Sequence, residues 1–235
     1  FVQLVGERRI AAVFVEPIAG STGVIVPPRG YLERLREICN RYGILLVFDE
    51  VICGFGRTGE AFAASTFGVT PDLITMAKAL TNGAQPMGAV AVHGSIYRTI
   101  VDAAPDGAPE FFHGYTYSAH PAACAAGLAT LEIYKNEQLF ARGRELSGYF
   151  LDAMFALQDL PAVNDVRGFG MLAGIEIKPG KAAGVRGSDL QAKLFDRGLH
   201  VKTTGDVAII APAFIASRAD IDLMGSILRD AIAEY

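Results

Sequence analysis

Short apolar runs on either side of an amphipathic segment dominate the first part of the chain. Residues 10–15 and 45–48 are apolar without alternation, a pattern typical of strands buried on both faces of a parallel sheet. Residues 31–42 carry apolar side chains at helical spacing among charged ones, which predicts a helix with one buried face. Gly43 suits the position just after that helix. Strand, helix and strand in this order predict a parallel, right-handed crossover unit.

Charged side chains stand where two predicted strands end. Asp49 and Glu50 follow the run at 45–48, and Lys78 follows a second run at 71–77. Because open parallel sheets bind ligands beyond the carboxyl ends of their strands, we expect Asp49 and Lys78 to share one crevice. The spacing leaves three explanations open. They are a buried salt bridge, two unrelated solvated charges, or a pyridoxal phosphate site in which the lysine forms a Schiff base and the aspartate partners the pyridine nitrogen.

The remaining pattern predicts a second, smaller layer. A strand at 89–92, an exposed loop at 102–110 and helices from Pro121 and across 137–157 complete the first part. Pro161 breaks the helical pattern, and we place a domain boundary there, with residues 1–160 in a large domain and 161–235 in a small α+β domain. The small domain is predicted to contain strands at 163–166, 171–177, 199–202 and 207–210 and helices at 190–197 and 220–234.

Composition restricts the compartment and the partners. With 235 residues, 51% of them hydrophobic, the chain can bury a sizeable core, and its net charge of −4 without a basic run argues against nucleic-acid or anionic membrane partners. No apolar stretch is long enough to span a bilayer. The cysteines Cys39, Cys53 and Cys124 are scattered and odd in number, which predicts reduced thiols and a cytoplasmic location.

Two patterns suggest other functions but lack the required context. Residues 54–59 read GFGRTG and match the dinucleotide-binding fingerprint. That fingerprint must turn a strand into a helix, whereas here Asp49 already ends the strand well before Gly54, so we interpret these residues as a glycine-rich loop near a cofactor or subunit boundary. His113 and His120 have no third ligand at fitting spacing, so we interpret both as structural and expect no metal site.

Three longer motifs resemble one family. Residues 46–59, LVFDEVICGFGRTG, resemble the cofactor-strand signature of the class III, or ω-amino acid, aminotransferases, and residues 71–83, PDLITMAKALTNG, resemble their Schiff-base lysine motif. Residues 113–121, HGYTYSAHP, are most similar to the β-alanine:pyruvate and amine:pyruvate members. The resemblance extends from about Ile10 to the C-terminus. It implies the α/β architecture of fold type I, with a large, mostly parallel domain and a small α+β domain.

The resemblance also implies roles for residues around the cofactor, pyridoxal 5'-phosphate. Lys78 would carry it as a Schiff base and act as the catalytic base, and Asp49 would keep the pyridine nitrogen protonated. Val51 and Ile52 would cover one face of the ring, although many members carry a polar residue where Ile52 stands. Thr116 matches a threonine that binds the phosphate of the neighbouring subunit, which implies a homodimer or tetramer with shared sites.

Two residues would contact the substrate. Glu16 stands in a Glu-Pro context that members use within the substrate pocket. Residues 199–206, LHVKTTGD, place Lys202 where members usually carry a mobile arginine that binds the substrate carboxylate. Since lysine keeps the charge but lacks the planar, bidentate fork, we expect weaker discrimination among α-keto acids.

The predicted function is transfer of an amino group from an ω-amino acid, such as β-alanine, or an amine to pyruvate. The alternatives are another class III enzyme, with a different acceptor or aminomutase activity, and a catalytically incomplete fragment that needs its N-terminal half. Members of the family are longer, and their upstream half supplies a phosphate-binding loop and an aromatic residue that stacks on the ring. Neither is visible here, so we expect this chain to correspond to the C-terminal half.

Overall fold

The structure, a computed structural model, describes residues 2–235 and contains two four-stranded sheets. The strands of the first sheet are β1 (Ala12–Val15), β2 (Leu45–Asp49), β3 (Leu73–Met76) and β4 (Ala89–Val92). They lie in the order β1-β2-β3-β4, with β1, β2 and β3 parallel and β4 antiparallel to β3. The four predicted strands and the parallel pairing of the first two are confirmed.

The second sheet is antiparallel and follows later in the chain. Its strands are β5 (Val163–Phe169), β6 (Leu172–Ile177), β7 (Lys202–Thr204) and β8 (Val207–Ile210), in the order β5-β6-β8-β7. The predicted strand at 199–202 is wrong in its bounds. The Leu199 N–H donates to the Leu194 carbonyl at 2.9 Å and so completes the end of the preceding helix, and the strand begins only at Lys202.

The helices connect and cover these sheets. They are α1 (Val2–Val5), α2 (Tyr31–Tyr42), α3 (Ala63–Phe67), α4 (Gly94–Asp102), α5 (Pro121–Asn136), α6 (Leu139–Phe155), α7 (Val185–Asp196) and α8 (Arg218–Ile232). The predicted helix α2 is confirmed, and Gly43 follows it with a φ of 65°, its N–H donating to the Cys39 carbonyl. That left-handed conformation explains why glycine stands there.

Three buried clusters hold the elements together. The first sheet packs one face on α2, through Leu46 and Phe48 against Leu32 and Cys39. A larger cluster joins α5, α6, α7 and α8 to one face of the second sheet. A third, which we call the junction cluster, joins the loops beyond β1 and β2 to the second sheet. Its buried members are Ile18, Val24, Cys53, Ala63 and Leu172, and Ile52 and Ile209 pack against them.

The other face of the first sheet is open at β1 and β4, and this corrects part of one prediction. Leu46, Val47 and Phe48 are buried, but Leu45 is 36% exposed and Phe14 on β1 is 71% exposed. Val90 on β4 is exposed as well. These side chains are apolar, yet no element within residues 2–235 covers them. The expectation of burial on both faces is therefore wrong for β1, whereas in β2 it holds for Leu46, Val47 and Phe48 and fails only at Leu45.

All strands of the first sheet precede the predicted boundary at residue 160 in the chain, and all strands of the second sheet follow it. The larger cluster nevertheless takes members from both sides, including Phe55 and Leu80 from the first part and Ile175 and Ile210 from the second. The division into 1–160 and 161–235 thus stays a prediction. Within residues 2–235, no helix is both long enough and apolar enough to cross a membrane.

Candidate active site

The predicted acid and amine lie at the carboxyl-terminal ends of the adjacent strands β2 and β3, and hence at the same end of the first sheet. Asp49 is the last residue of β2 and is paired in register with Thr75 on the parallel strand β3. The Glu50 N–H continues this pairing and donates to the Thr75 carbonyl at 3.0 Å. Lys78 follows β3 after one intervening residue, Ala77, and begins a 3₁₀ turn. Asp49 therefore lies at the carboxyl end of its strand and Lys78 just beyond that of the adjacent parallel strand, as the sequence predicted.

Asp49 has acceptor capacity that the protein itself does not use. Its carboxylate is half-buried, and the Val51 N–H donates to Oδ1 at 3.0 Å. No salt bridge joins it to Lys78 or to any other cation among residues 2–235. The buried Asp49–Lys78 salt bridge, one of the three sequence-based explanations, is thus not formed.

Lys78 is held in a strained turn with its side chain exposed. Its φ of 43° lies in the left-handed region, which costs a residue other than glycine about 1–3 kcal/mol. Neighbouring contacts hold the turn in place: the Tyr134 hydroxyl donates to the Ala79 carbonyl at 2.8 Å, and Leu80 is buried. The Thr81 hydroxyl donates to the Gln85 carbonyl at 2.5 Å. The turn therefore fixes where the amine is presented.

Glu50 is a structural acid that sequence reasoning did not assign. It is completely buried, and its carboxylate accepts from the N–H groups of Ala63 at 2.7 Å and Ala64 at 2.8 Å. Burial raises the pKa of Glu50, and these two hydrogen bonds oppose the rise. Because Phe62 cannot cap α3 with its side chain, Glu50 supplies that cap and ties the end of β2 to the helix. An acid ahead of an uncapped helix start is the signal that could have identified it.

The glycine-rich loop at 54–59 is a joint between the two parts of the chain. The Arg57 carbonyl accepts from the Met171 N–H at 2.9 Å, beside Gly170. A Cβ added to Gly170 would lie 2.5 Å from that carbonyl oxygen, so glycine is required by the close approach as well as by its φ of 59°. No strand turns into a helix here, which agrees with interpreting the motif as a loop.

The Arg57 guanidinium completes this joint from a partly buried position. Nη1 donates to the carbonyls of Met171 at 3.0 Å and Pro212 at 2.7 Å, and the group lies 4.7 Å from the centre of the Phe214 ring. Burial lowers the pKa of Arg57 to about 10. The residues that follow β2 are thereby attached to the segment that follows β8.

Glu16 and Ile52 lie on either side of Gly20. The Gly20 N–H donates to Glu16 Oε2 at 3.0 Å, and a Cβ added to Gly20 would lie 2.9 Å from Ile52 Cδ1. Ile52 belongs to the junction cluster, while Val51 is partly exposed and donates its N–H to Asp49. The predicted substrate acid and one predicted ring-facing residue are therefore close to the end of β2.

Lys202 is presented from the edge strand of the second sheet. It is exposed, and its register partner on β8 is Ile209. Residues directly opposite in an antiparallel pair have side chains on the same face, and Ile209 packs against the junction cluster together with Ile52. Lys202 therefore stands on the face of the second sheet that meets the loops around Ile52.

Thr116 belongs to the segment between α4 and α5. It is exposed in an irregular segment and lines an open cavity of about 900 Å³ with Thr75, Met87, Tyr117 and Cys124. Neither Asp49 nor Lys78 lines this cavity, although it is the largest of the cavities described. The chemistry of the residues at the strand ends, and not the size of a cavity, defines the candidate site. The expected role of Thr116 toward a neighbouring subunit stays a prediction.

The two histidines near Thr116 have different surroundings. The His113 ring stacks on Phe111 with centroids 5.2 Å apart and meets the edge of Tyr115 at 4.4 Å. His120 precedes α5 as its N-cap residue. Within residues 2–235, no group of three or more histidine, cysteine or acidic side chains is arranged to hold a metal ion.

Comparison with known proteins identifies the family. The family described as Aminotransferase class-III matches residues 2–232. An omega-aminotransferase of Caulobacter vibrioides is 55% identical over 226 residues, which cover 96% of this chain and 51% of that protein. An omega-amino acid–pyruvate aminotransferase of Pseudomonas putida is 48% identical over 235 residues, covering 99% and 51%.

Solved structures agree with the sequence comparison. One described as "Transaminase with L-ala" has a TM-score of 0.95 at 34% identity, and the match covers 99% of this chain and 56% of that one. A transaminase from the marine bacterium Virgibacillus has a TM-score of 0.91 at 33% identity, with 99% and 55% covered. The chain spans about half the length of the curated relatives it matches. It belongs to the class III aminotransferases, and its fold is part of fold type I of the pyridoxal-phosphate enzymes.

Proposed function

We propose that the protein to which this chain belongs is a pyridoxal-phosphate transaminase that moves an amino group from an ω-amino acid, such as β-alanine, or an amine to pyruvate. The observation that carries the proposal is the register of β2 and β3, which sets Asp49 and Lys78 at one sheet edge. The names of the relatives in Caulobacter and Pseudomonas support the substrate class. Because those relatives are longer, the activity is proposed for the whole protein.

The residues at the strand ends fit this cofactor. A protonated pyridine nitrogen needs a carboxylate acceptor, and Asp49 has one with a single hydrogen bond and no cation among residues 2–235. Unit charges ~4 Å apart attract by ~4 kcal/mol at an effective dielectric of ~20, before the cost of desolvation. The exposed amine of Lys78 is available to hold the cofactor, and the turn that begins at Lys78 keeps that amine next to the carboxyl end of β3.

The side chains would divide the chemistry between them. Bound pyridoxal phosphate supplies an electron sink for the substrate carbon that carries the amino group. Asp49 would hold the proton on the ring nitrogen, which maintains that sink. Lys78 Nζ would take the proton from the substrate carbon, a general base role that contributes about 10²–10⁴-fold to rate.

The substrate would lie between the two parts of the chain. Lys202, on the face of the second sheet that meets Ile52, would bind a substrate carboxylate through its ammonium group. Glu16, held beside Ile52 by Gly20, would border the same space. A lysine here provides one point charge without a bidentate fork, so acceptor carboxylates would be held less selectively than by arginine.

Assembly and location are part of the proposal. We propose a homodimer or tetramer in which Thr116 of one subunit contacts the cofactor phosphate of another. Its place in an exposed segment of the chain supports this. A cytoplasmic location is proposed from the three cysteines, which are free in the structure.

Amino transfer by the full-length protein tests the proposal. The protein, supplied with cofactor, β-alanine and pyruvate, should form alanine, measured by chromatography. Lys78→Ala should form none above background, whereas Lys135→Ala, a substitution of an exposed lysine on α5, should match the native protein. Equal alanine formation by Lys78→Ala would overturn the assignment. Transfer to another keto acid but not to pyruvate would move the proposal to a different acceptor.

A further inference from the structure

The β7–β8 hairpin, which carries Lys202, is attached through its turn to the start of helix α7. Asp206, in this turn, accepts from the Gly187 N–H at 2.9 Å and from the Gly184 N–H at 3.0 Å. These N–H groups lie at the start of α7, where backbone donors have no partner within the helix. A carboxylate also complements the positive end of the helix dipole. Asp206 thus joins the hairpin turn to the first turn of α7.

A second contact holds β7 itself. Gln191 of α7 accepts through Oε1 from the Thr203 N–H at 3.2 Å and from the Thr203 hydroxyl at 2.7 Å. Because β7 is the edge strand, its outward N–H groups have no neighbouring strand to donate to. Gln191 supplies the missing acceptor one residue away from Lys202.

The helix and the hairpin turn are also in direct backbone contact. A Cβ added to Gly187 would lie 2.0 Å from the Gly205 carbonyl oxygen and 3.0 Å from Asp206 Cα. Any larger residue at this position would push the turn away from α7. The hairpin is therefore fixed to the helix at three points, which are Asp206, Thr203 and Gly205.

Lys202 points away from α7. Side chains alternate between the two faces along a strand, so Thr203, which contacts α7, and Lys202 lie on opposite faces. Lys202 shares its face with Ile209 and hence with the junction cluster. Helix α7 supports the back of β7, while the ammonium group of Lys202 extends toward the proposed substrate space on the front.

We propose that Gln191 and Asp206 are positioning residues for Lys202, which set how well the enzyme binds the carboxylate of its substrate. The inference rests on the proposed function, in which Lys202 binds that carboxylate. A lysine side chain is long and flexible, so the reach of its ammonium group depends on where the backbone of β7 is held. A three-residue edge strand with one neighbour has few other contacts to hold it.

The expected effect is moderate and selective. If β7 shifts so that the ammonium–carboxylate distance grows from ~4 to ~5 Å, the attraction falls by about a fifth, which corresponds to about a fourfold loss of affinity. Only carboxylate binding should change, because Lys78 and Asp49 are held by the other sheet. We therefore expect a higher KM for β-alanine at an unchanged kcat.

The test compares variants of the full-length holoenzyme. Gln191→Met keeps the length of the side chain and removes the acceptor, and it should raise the KM for β-alanine and the inhibition constant of propionate about fourfold. Thr203→Val, which loses the hydroxyl donor, should act in the same direction if Gln191→Met does not fold. Ser188→Ala on the same helix should leave both constants unchanged, since the Ser188 hydroxyl donates to the carbonyl of Gly184, the residue before α7, and not to the hairpin.

A second background separates this inference from the proposed function. In a Lys202→Met background, Gln191→Met should have no further effect on KM, because both changes act on the same interaction, the contact between Lys202 and the substrate carboxylate. A Lys202→Met variant with raised KM, combined with unchanged KM in Gln191→Met and Thr203→Val, would overturn the inference alone. An unchanged KM in Lys202→Met would remove the proposed substrate role of Lys202, and the inference with it.

Discussion

The partly buried Arg57 joint makes a quantitative prediction about stability. Its guanidinium donates to the Met171 and Pro212 carbonyls and lies over the Phe214 ring, so it attaches the loop beyond β2 to the second sheet. Arg57→Met fills much of the same space but removes all three interactions. We expect the free energy of unfolding to fall, although one buried charge is removed as well.

The magnitude follows from opposing contributions. Each hydrogen bond from a charged donor contributes about 1.5–3 kcal/mol, and the contact with Phe214 adds about 1 kcal/mol. Burial opposes this, because it lowers the pKa of Arg57 from its ordinary value to about 10, a cost of about 3 kcal/mol for the charged form. Since both carbonyls also lose their donor, the net loss for Arg57→Met should be about 3 kcal/mol. Arg57→Lys, which can keep one hydrogen bond, should lose about half of this.

Urea unfolding of the full-length holoprotein, followed by far-ultraviolet circular dichroism, measures this loss. Arg34→Met is the control, because Arg34 is 59% exposed and makes only a surface pair with Glu37. Such a pair contributes at most about 1 kcal/mol. If Arg57→Met were no less stable than Arg34→Met, the joint would not hold the two sheets together in the way described.

Three further substitutions test the site. Asp49→Asn should lower kcat by up to about 10³-fold, since up to ~4 kcal/mol of attraction to the ring nitrogen is lost, and equal turnover would count against this role. Burial raises the pKa of Glu50 above 4.5, so the folded state keeps a proton that the unfolded chain has released. The stability of the native protein relative to Glu50→Gln, measured in urea titrations, should therefore fall as the pH rises above 4.5, and a constant difference would contradict it. Lys202→Arg should lower the KM for pyruvate several-fold, about 3–10-fold, by restoring a bidentate contact. An unchanged KM would argue against any contact with the carboxylate.

Local patterns predicted most of the elements. Helix α2 was predictable because its apolar face, its charged face and Gly43 all act within a few residues of one another. The strands β2 and β3 were recognisable as apolar runs ended by Asp49 and Lys78, and parallel pairing then required these two residues to share an edge. That part of the candidate site follows from sequence because strand order and strand ends determine it.

Contacts between distant residues were not predictable. Arg57 donates to carbonyls 114 and 155 residues away, and a backbone carbonyl leaves no trace in a sequence pattern. Glu50 was visible as an acid, but its partners are backbone N–H groups at the start of α3. The contact between Gln191 and β7 depends likewise on how α7 packs on the edge strand.

The open face of the first sheet shows another limit of sequence patterns. The run that contains Leu45 is apolar as if it were covered on both sides, yet Leu45 and Phe14 are exposed within residues 2–235. The hydrophobicity of a strand indicates that its faces are suited to burial, but it does not indicate which residues cover them. The chain spans about half the length of the curated relatives it matches, so the pattern alone could not show how much of this face these residues cover.

The most direct test of the central claim is peptide mapping of the full-length holoprotein after borohydride reduction. Reduction makes the bond between the cofactor and its lysine permanent, and mass spectrometry then locates it. If the amine beyond β3 serves the site that Asp49 borders, the mass of the reduced cofactor will be found on the peptide that contains Lys78. Finding it on a peptide with another lysine, or on none, would contradict the account.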